Sequence, residues 1–346
     1  MEHPVLRLGL IGFNAAEITR LAKWLSRTNE GWPVWNIVPH EKADGWWIAC
    51  RSISAFDNNG LTVQTGQSAQ PWLKLNPMEM DRPMAFAGRP PTGLLVTESV
   101  DPALESSVRQ QLQHFEAWLR PLRGQFALGA DLVQREAELK PGIYQVTLQG
   151  RLLAVIDLFK WKVGILPTAR PVDFDQAIWD HRPPAAGSIP EKFVQMSVSQ
   201  LMWIYASRTQ RDVLPQRYRR QVVHFRRLPR LPVNWMHDEH LLLLREISTR
   251  AGTLDDLAQR TGMSVFLLAR HLAALYFAGA VTTNSRSAGR LEPKRTPLGM
   301  ESSQPLQVGT TPDSHGRSAL PSGFAGDGRR LLTPQDLTAP APLRGH

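Results

Sequence analysis

The sequence predicts four segments: an N-terminal α/β domain (residues 1–125), a small α+β unit (140–235), a module of three short helices (236–284), and a disordered tail (285–346). Three observations support this division. Strands and helices alternate in the first segment, closely spaced strands fill residues 142–166, and the signals of three capped helices begin at residue 238. A chain of 346 residues is also long enough for two or three domains.

The composition excludes several classes of protein. The 42% hydrophobic content is too high for uniform disorder, and a single Cys excludes a disulfide framework and a thiolate zinc site. The N-terminus lacks the pattern of a secretory signal, and no apolar run approaches the length of a membrane helix. These features predict a cytoplasmic protein with no membrane contact. The net charge of +9 permits nucleic-acid, nucleotide or acidic-protein partners without choosing among them.

The first segment reads as strands separated by turns and helices. Residues 6–13, 34–38, 46–50 and 83–87 are predicted strands, and residues 15–26 have the apolar spacing of a helix. Asp101–Pro102 is expected to open a second helix. Its predicted apolar stripe consists of Leu104, Val108, Leu112, Phe115, Trp118 and Leu119.

The order of these elements resembles a response-regulator receiver. Active receivers hold Mg²⁺ with an acidic pair after the first strand, where this chain has Phe13 and Asn14. The third strand ends Ala49–Cys50–Arg51, without the Asp that would accept a phosphoryl group. The resemblance therefore implies a degenerate receiver without phosphoryl chemistry, and an ordinary small α/β domain is the alternative.

The middle unit combines strands, a helix and a basic flank. Residues 142–166 are predicted strands with a turn at Gln149–Gly150, and residues 191–207 fit a helix. The flank is predicted to bind an anion or nucleic acid through Arg217, Arg219, Arg220, Arg226, Arg227 and Arg230. Aromatic residues interleave with these side chains, which also suits a guanine-containing second messenger. The alternative is an edge strand with a solvated basic face.

The third segment carries the signals of three helices. A first helix starts near Asp238, Thr253 and Asp256 form a capping box for the second, and Ser264 caps the third. Gly262 suits the turn between the second and third helices, and Gly279 suits the end of the third. The predicted buried positions of the third helix are Leu268, Leu272 and Leu275.

The string TLDDLAQRTGMSVFLLARHLAALYFAGAV, together with the preceding helix, resembles the winged helix-turn-helix core of arsenical-resistance and multiple-antibiotic-resistance repressors (ArsR and MarR type) over residues 238–283. This resemblance implies that the third helix would enter a DNA groove. Its first turn instead reads Val265, Phe266 and Leu267, none of which can bond to a base edge. A partner-binding site is therefore predicted at Val265, Phe266, Leu267, Arg270 and His271. The alternative is that Phe266 and Leu267 pack beneath the middle unit.

No catalytic motif of the HExxH, GxSxG or CxxC type occurs, and no catalytic residue, metal or cofactor is predicted. The sequence thus predicts a non-catalytic bacterial regulatory or adaptor protein that contacts another protein, or a second copy of itself, through the winged helix. A DNA-binding transcriptional regulator that uses the Arg-rich flank is the main alternative. A binder of a nucleotide second messenger is a weaker one.

Overall fold

The computed structural model describes residues 2–26, 33–56, 60–65, 73–75, 81–87, 99–184, 188–232 and 235–289. These residues pack around two hydrophobic cores. One core belongs to the N-terminal sheet, and the other is shared by the middle unit and the C-terminal helices.

The N-terminal domain is built on a sheet of seven strands. Its elements are β1 (Val5–Ile11), α1 (Ala15–Leu25), β2 (Val34–Val38), β3 (Gly45–Phe56), β4 (Gly60–Thr65), β5 (Leu73–Leu75), β6 (Met84–Ala87), β7 (Ser99–Val100) and α2 (Glu105–Trp118). Strands β2, β1, β3, β6 and β7 are neighbours in that order and are parallel. The predicted α/β fold is therefore confirmed, and these five strands form its parallel sheet.

Counted along the chain, the parallel strands lie in the order 2-1-3-4-5, which flavodoxin-like doubly wound sheets share. The far half of β3 departs from that plan, because it pairs antiparallel with β4, which in turn pairs with β5. Asn14, which occupies a position where an active receiver has an acidic residue, has a structural role. Its side chain caps α1 in a capping box with Glu17.

Helices α1 and α2 contribute to the same core. Leu21 of α1 and Phe115 of α2 pack in the cluster that contains Leu6 and Leu8 of β1. Because side chains alternate along a strand, Val5 and Arg7 of β1 belong to the opposite face. That second face is turned toward the C-terminal part of the chain.

The predicted start and stripe of α2 are partly wrong. The helix begins at Glu105, because the Asp101 carboxylate accepts a hydrogen bond from the Ala103 N–H and forms a turn instead. Leu104 and Trp118 are 55% and 51% exposed, so neither belongs to the buried stripe.

The middle unit is a five-stranded antiparallel sheet flanked by helices. Its elements are α3 (Arg120–Gln134), β8 (Ile143–Leu148), β9 (Arg151–Asp157), β10 (Lys162–Ile165), α4 (Pro171–Asp175), β11 (Ile178–Arg182), β12 (Val194–Ser197), α5 (Val198–Arg208), α6 (Gln216–Arg220) and β13 (His224–Phe225). The strand order is β11-β8-β9-β10-β12. The predicted turn is confirmed, since Gln149 and Gly150 have φ angles of 48° and 80°.

The single helix predicted over residues 191–207 is wrong at its start. Residues Val194–Ser197 form the edge strand β12, which pairs with β10, and the helix α5 begins only at Val198. The switch occurs at Ser197, whose side chain accepts from the Gln200 N–H while the Gln200 side chain accepts from the Ser197 N–H.

The C-terminal module consists of α7 (Asp238–Thr249), α8 (Leu254–Thr261), α9 (Val265–Phe277) and β14 (Val281–Thr282). The caps predicted at Thr253 and Ser264 are confirmed, and Gly262 has a φ of 69°. Strand β14 pairs with β13, and Val223 bridges to Gly252. The basic flank of the middle unit thus supplies a strand to the small sheet of this module.

The predicted boundary between the middle unit and the module does not divide the core. Side chains of α3, α5 and α9 belong to one continuous cluster, in which Leu268, Leu272 and Leu275 are fully buried. In the predicted disordered tail, residues Ser285–Ser287 form one turn of 3₁₀ helix, and residues 290–346 lie outside the described residues.

Candidate interaction surface

The first turn of α9 carries three exposed apolar side chains, which we call the apolar turn: Val265, Phe266 and Leu267. They are 44%, 69% and 40% exposed, respectively. The Ser264 hydroxyl caps the helix by accepting a hydrogen bond from the Leu267 N–H. The alternative in which Phe266 and Leu267 are buried beneath the middle unit is therefore wrong.

The position of the apolar turn follows from the burial of the rest of α9. From Leu268 onward the helix is packed in the shared core, and only Arg270 and His271 are less than fully buried. Phe266 and Arg270 are four residues apart and so lie on the same side of the helix. The turn projects beyond the core with a cationic side chain beside it.

His271 belongs to a chain of histidines that joins α9 to α7. His271 Nδ1 lies 3.0 Å from His240 Nε2, and His240 Nδ1 accepts a hydrogen bond from the His237 N–H. Because Nδ1 of His240 is an acceptor, its Nε2 carries the proton and donates to His271.

The histidine chain is neutral at physiological pH. Burial, followed by the neighbouring His271 and His237, lowers the pKa of His240 to about 2. Burial also lowers the pKa of His271 to about 4, assisted by the nearby Arg270 guanidinium and opposed by Glu239. The residue predicted to meet a partner therefore also holds two helices of the module together.

Three of the six arginines predicted to bind an anion are engaged within the fold. The Arg217 guanidinium lies 5.4 Å from the ring centre of Tyr218 and 5.7 Å from that of Tyr276. Arg219 forms an ion pair with Asp212. Arg227 donates to the Gly279 carbonyl, 3.3 Å away, at the end of α9. These contacts hold α6 and the segment after β13 against neighbouring parts of the fold.

The other three predicted arginines form no ion pair with any described residue. Arg220 and Arg230 are exposed, and Arg226 is half-buried beside β13. They leave a smaller basic surface than the sequence suggests.

Polar contacts between the N-terminal domain and the rest of the chain form a seam that the sequence did not predict. Arg208 of α5 binds Asp44 through two hydrogen bonds of 2.6 and 2.5 Å, and both side chains are largely buried. Lys42 and Glu239 pair at 2.6 Å. The partners are far apart in sequence, and the only available signal was the clustering of His237 and Glu239 with other ionisable residues.

Among the residues that the structure describes, no cluster of three or more His, Cys, Asp or Glu side chains could hold a metal ion. No helix in the described ranges combines the length and apolar character needed to cross a membrane. Comparison with known proteins found no match for the chain among protein-family models, curated proteins or solved structures.

Proposed function

We propose that this chain is a non-catalytic regulatory or adaptor protein that binds another protein through the apolar turn of a winged helix. The observation that carries the proposal is the exposure of Phe266, at 69%, on a helix whose following residues are packed in the core. An exposed aromatic side chain on a rigid helix is a typical anchor of a protein interface.

The chemistry of the turn favours a polypeptide partner over a nucleic acid. Val265, Phe266 and Leu267 have no side-chain donor or acceptor for a base edge or a phosphate. An apolar pocket in a partner protein would bury all three side chains. Covering one such side chain contributes about 1.5–3 kcal/mol, which corresponds to roughly a tenfold to 150-fold change in affinity.

Site-specific photo-crosslinking of the full chain tests this proposal. A crosslinking amino acid at position 266 should capture a defined polypeptide, either a second copy of the chain or another protein. The matched control is position 159, where Phe159 is also exposed, at 50%, but lies in the β9–β10 turn. Phe266→Asp should abolish the interaction with the captured protein, whereas Phe159→Asp should preserve it. Equal capture at both positions would contradict the proposal.

The rival function is DNA binding through Arg220, Arg226 and Arg230, which have no acidic partner among the described residues. Phosphate contacts release counterions, so affinity for random duplex DNA would fall steeply with salt. The triple replacement by Gln would remove that binding, and Phe266→Asp would leave it intact. DNA binding with this pattern, together with no capture at position 266, would favour the rival.

A further inference from the structure

A cleft of about 230 Å³ separates the second face of the N-terminal sheet from the C-terminal module. One wall comes from β1 and β2, and includes Val5, Arg7 and Asn36. The other wall comes mainly from α7 and α9. The α9 side chains are Leu267, Arg270, His271 and Ala274, whose spacing places them on one face of the helix.

The cleft contains more positive than negative charge. Arg7 and Arg270 both line it, and neither forms an ion pair with a described acidic residue. Arg7 donates to the Ser207 carbonyl at 2.9 Å and lies 3.4 Å from His237 Nε2. Both partners are neutral, so neither forms an ion pair with the Arg7 guanidinium.

The nearby carboxylates are already engaged. Asp44 accepts two hydrogen bonds from Arg208 and a third from the Arg7 backbone N–H. Glu239 is held by Lys42. Both carboxylates favour the charged form of Arg7 from a distance, but neither forms an ion pair with Arg7 or Arg270.

The two guanidiniums also disfavour each other. Burial, then the charge of Arg208 and to a smaller extent that of Arg270, lower the pKa of Arg7 to about 10, and the carboxylates of Asp44 and Glu239 oppose this shift; Arg7 stays protonated at neutral pH but at an electrostatic cost. An anion between Arg7 and Arg270 would remove this cost. His237 and His271, whose pKa values are lowered by burial, provide further ring nitrogens on the same walls.

We infer that this cleft binds a small molecule through a phosphate group, with Arg7 and Arg270 contacting the phosphate oxygens. Guanidinium groups bind phosphate through paired hydrogen bonds. Two guanidinium groups match the charge of a phosphate dianion better than that of a ligand with a single carboxylate. Ala274 and Leu267 supply apolar surface for the remainder of the ligand. Asn36 and Leu267 are exposed at the rim, which leaves the cleft open to solvent.

The cleft can be tested separately from the proposed protein contact, although Leu267, Arg270 and His271 of the predicted partner site also line it. A ligand in the cleft would touch one side chain of the apolar turn. Phosphate binding can be measured without any partner, so failure of either proposal leaves the other standing.

Titration of the full chain with inorganic phosphate and with adenosine 5′-monophosphate tests the inference. Calorimetry should give saturable binding at one site, and the ring resonances of His237 and His271 should shift in parallel. Arg270→Gln should weaken phosphate binding about tenfold or more, because a charge-assisted pair is lost. Arg245→Gln is the matched control, since this arginine of α7 is exposed and lies outside the cleft, and the variant should bind phosphate like the unmodified protein. Tighter binding of the nucleotide than of phosphate would identify a larger phosphate monoester, and equal binding would identify the phosphate group alone.

A second variant keeps the test decisive if Arg270→Gln does not fold. Asn36→Asp adds a negative charge at the exposed rim and should weaken phosphate binding several-fold. Absence of saturable phosphate binding would overturn the inference. An equal loss of phosphate binding in Arg245→Gln would also overturn it, as would binding of succinate by a protein that does not bind phosphate.

Discussion

The ion pair between Asp44 and Arg208 should be the most sensitive point of the polar seam. Its side chains are only 10% and 11% exposed, and the Asp44 carboxylate accepts three hydrogen bonds. Asp44→Ala would leave the Arg208 guanidinium buried without its counter-charge. Removing one partner of a buried pair costs about 3–5 kcal/mol, so we expect the free energy of unfolding of the N-terminal domain to fall by that amount.

Urea unfolding followed by circular dichroism measures this loss. The matched control is Asp81→Ala, which breaks the pair between Arg82 and a carboxylate that is 63% exposed and should cost less than about 1 kcal/mol. Arg208→Met combined with Asp44→Ala should cost less than the sum of the single changes, because no charge is then left buried. A loss in Asp44→Ala as small as in the control would refute the assignment of this pair as the main polar link.

Three further outcomes are expected. Leu268→Ala should lower the free energy of unfolding by about 2–5 kcal/mol, whereas Phe266→Ala should change it by less than about 0.5 kcal/mol, as chemical denaturation would show. Gly262→Ala should lower the thermal midpoint, since its left-handed φ costs a residue with a Cβ about 1 kcal/mol or more. Because the folded pKa of His271 is about 4, below the unfolded value, protonation favours the unfolded chain. The free energy of unfolding should therefore decrease as the pH falls from 6.5 toward 4, and His271→Asn should make this decrease shallower. An unchanged slope would contradict the lowered pKa of His271.

Local signals made the C-terminal module and the hairpins predictable. The capping box of Thr253 and Asp256 and the glycine at position 262 involve residues within one or two turns, and the structure realises each of them. The turn at Gln149–Gly150 is equally local. Such features depend on nearby backbone geometry, which the sequence specifies directly.

The failures have a different origin. The segment before Ser197 has helical spacing, but pairing with β10 makes it a strand, so tertiary contact overrides the local pattern. Likewise, nothing local indicated that Arg219 would pair with Asp212 or that Arg217 would stack on Tyr276. The cleft could not be predicted, because Arg7 and Arg270 line it from positions 263 residues apart in the sequence. Only the packing of whole strands and helices brings such residues to one site.

The continuous core shared by α3, α5 and α9 has a mechanical consequence. Sliding α9 against α5 would open a closely packed apolar interior, so these helices should travel as one rigid unit. The contacts between the N-terminal domain and that unit include partly exposed ion pairs such as Lys42 with Glu239, which water can replace. A hinge motion should consequently occur at the polar contacts between the N-terminal domain and this unit. Such a motion would separate the two walls of the cleft.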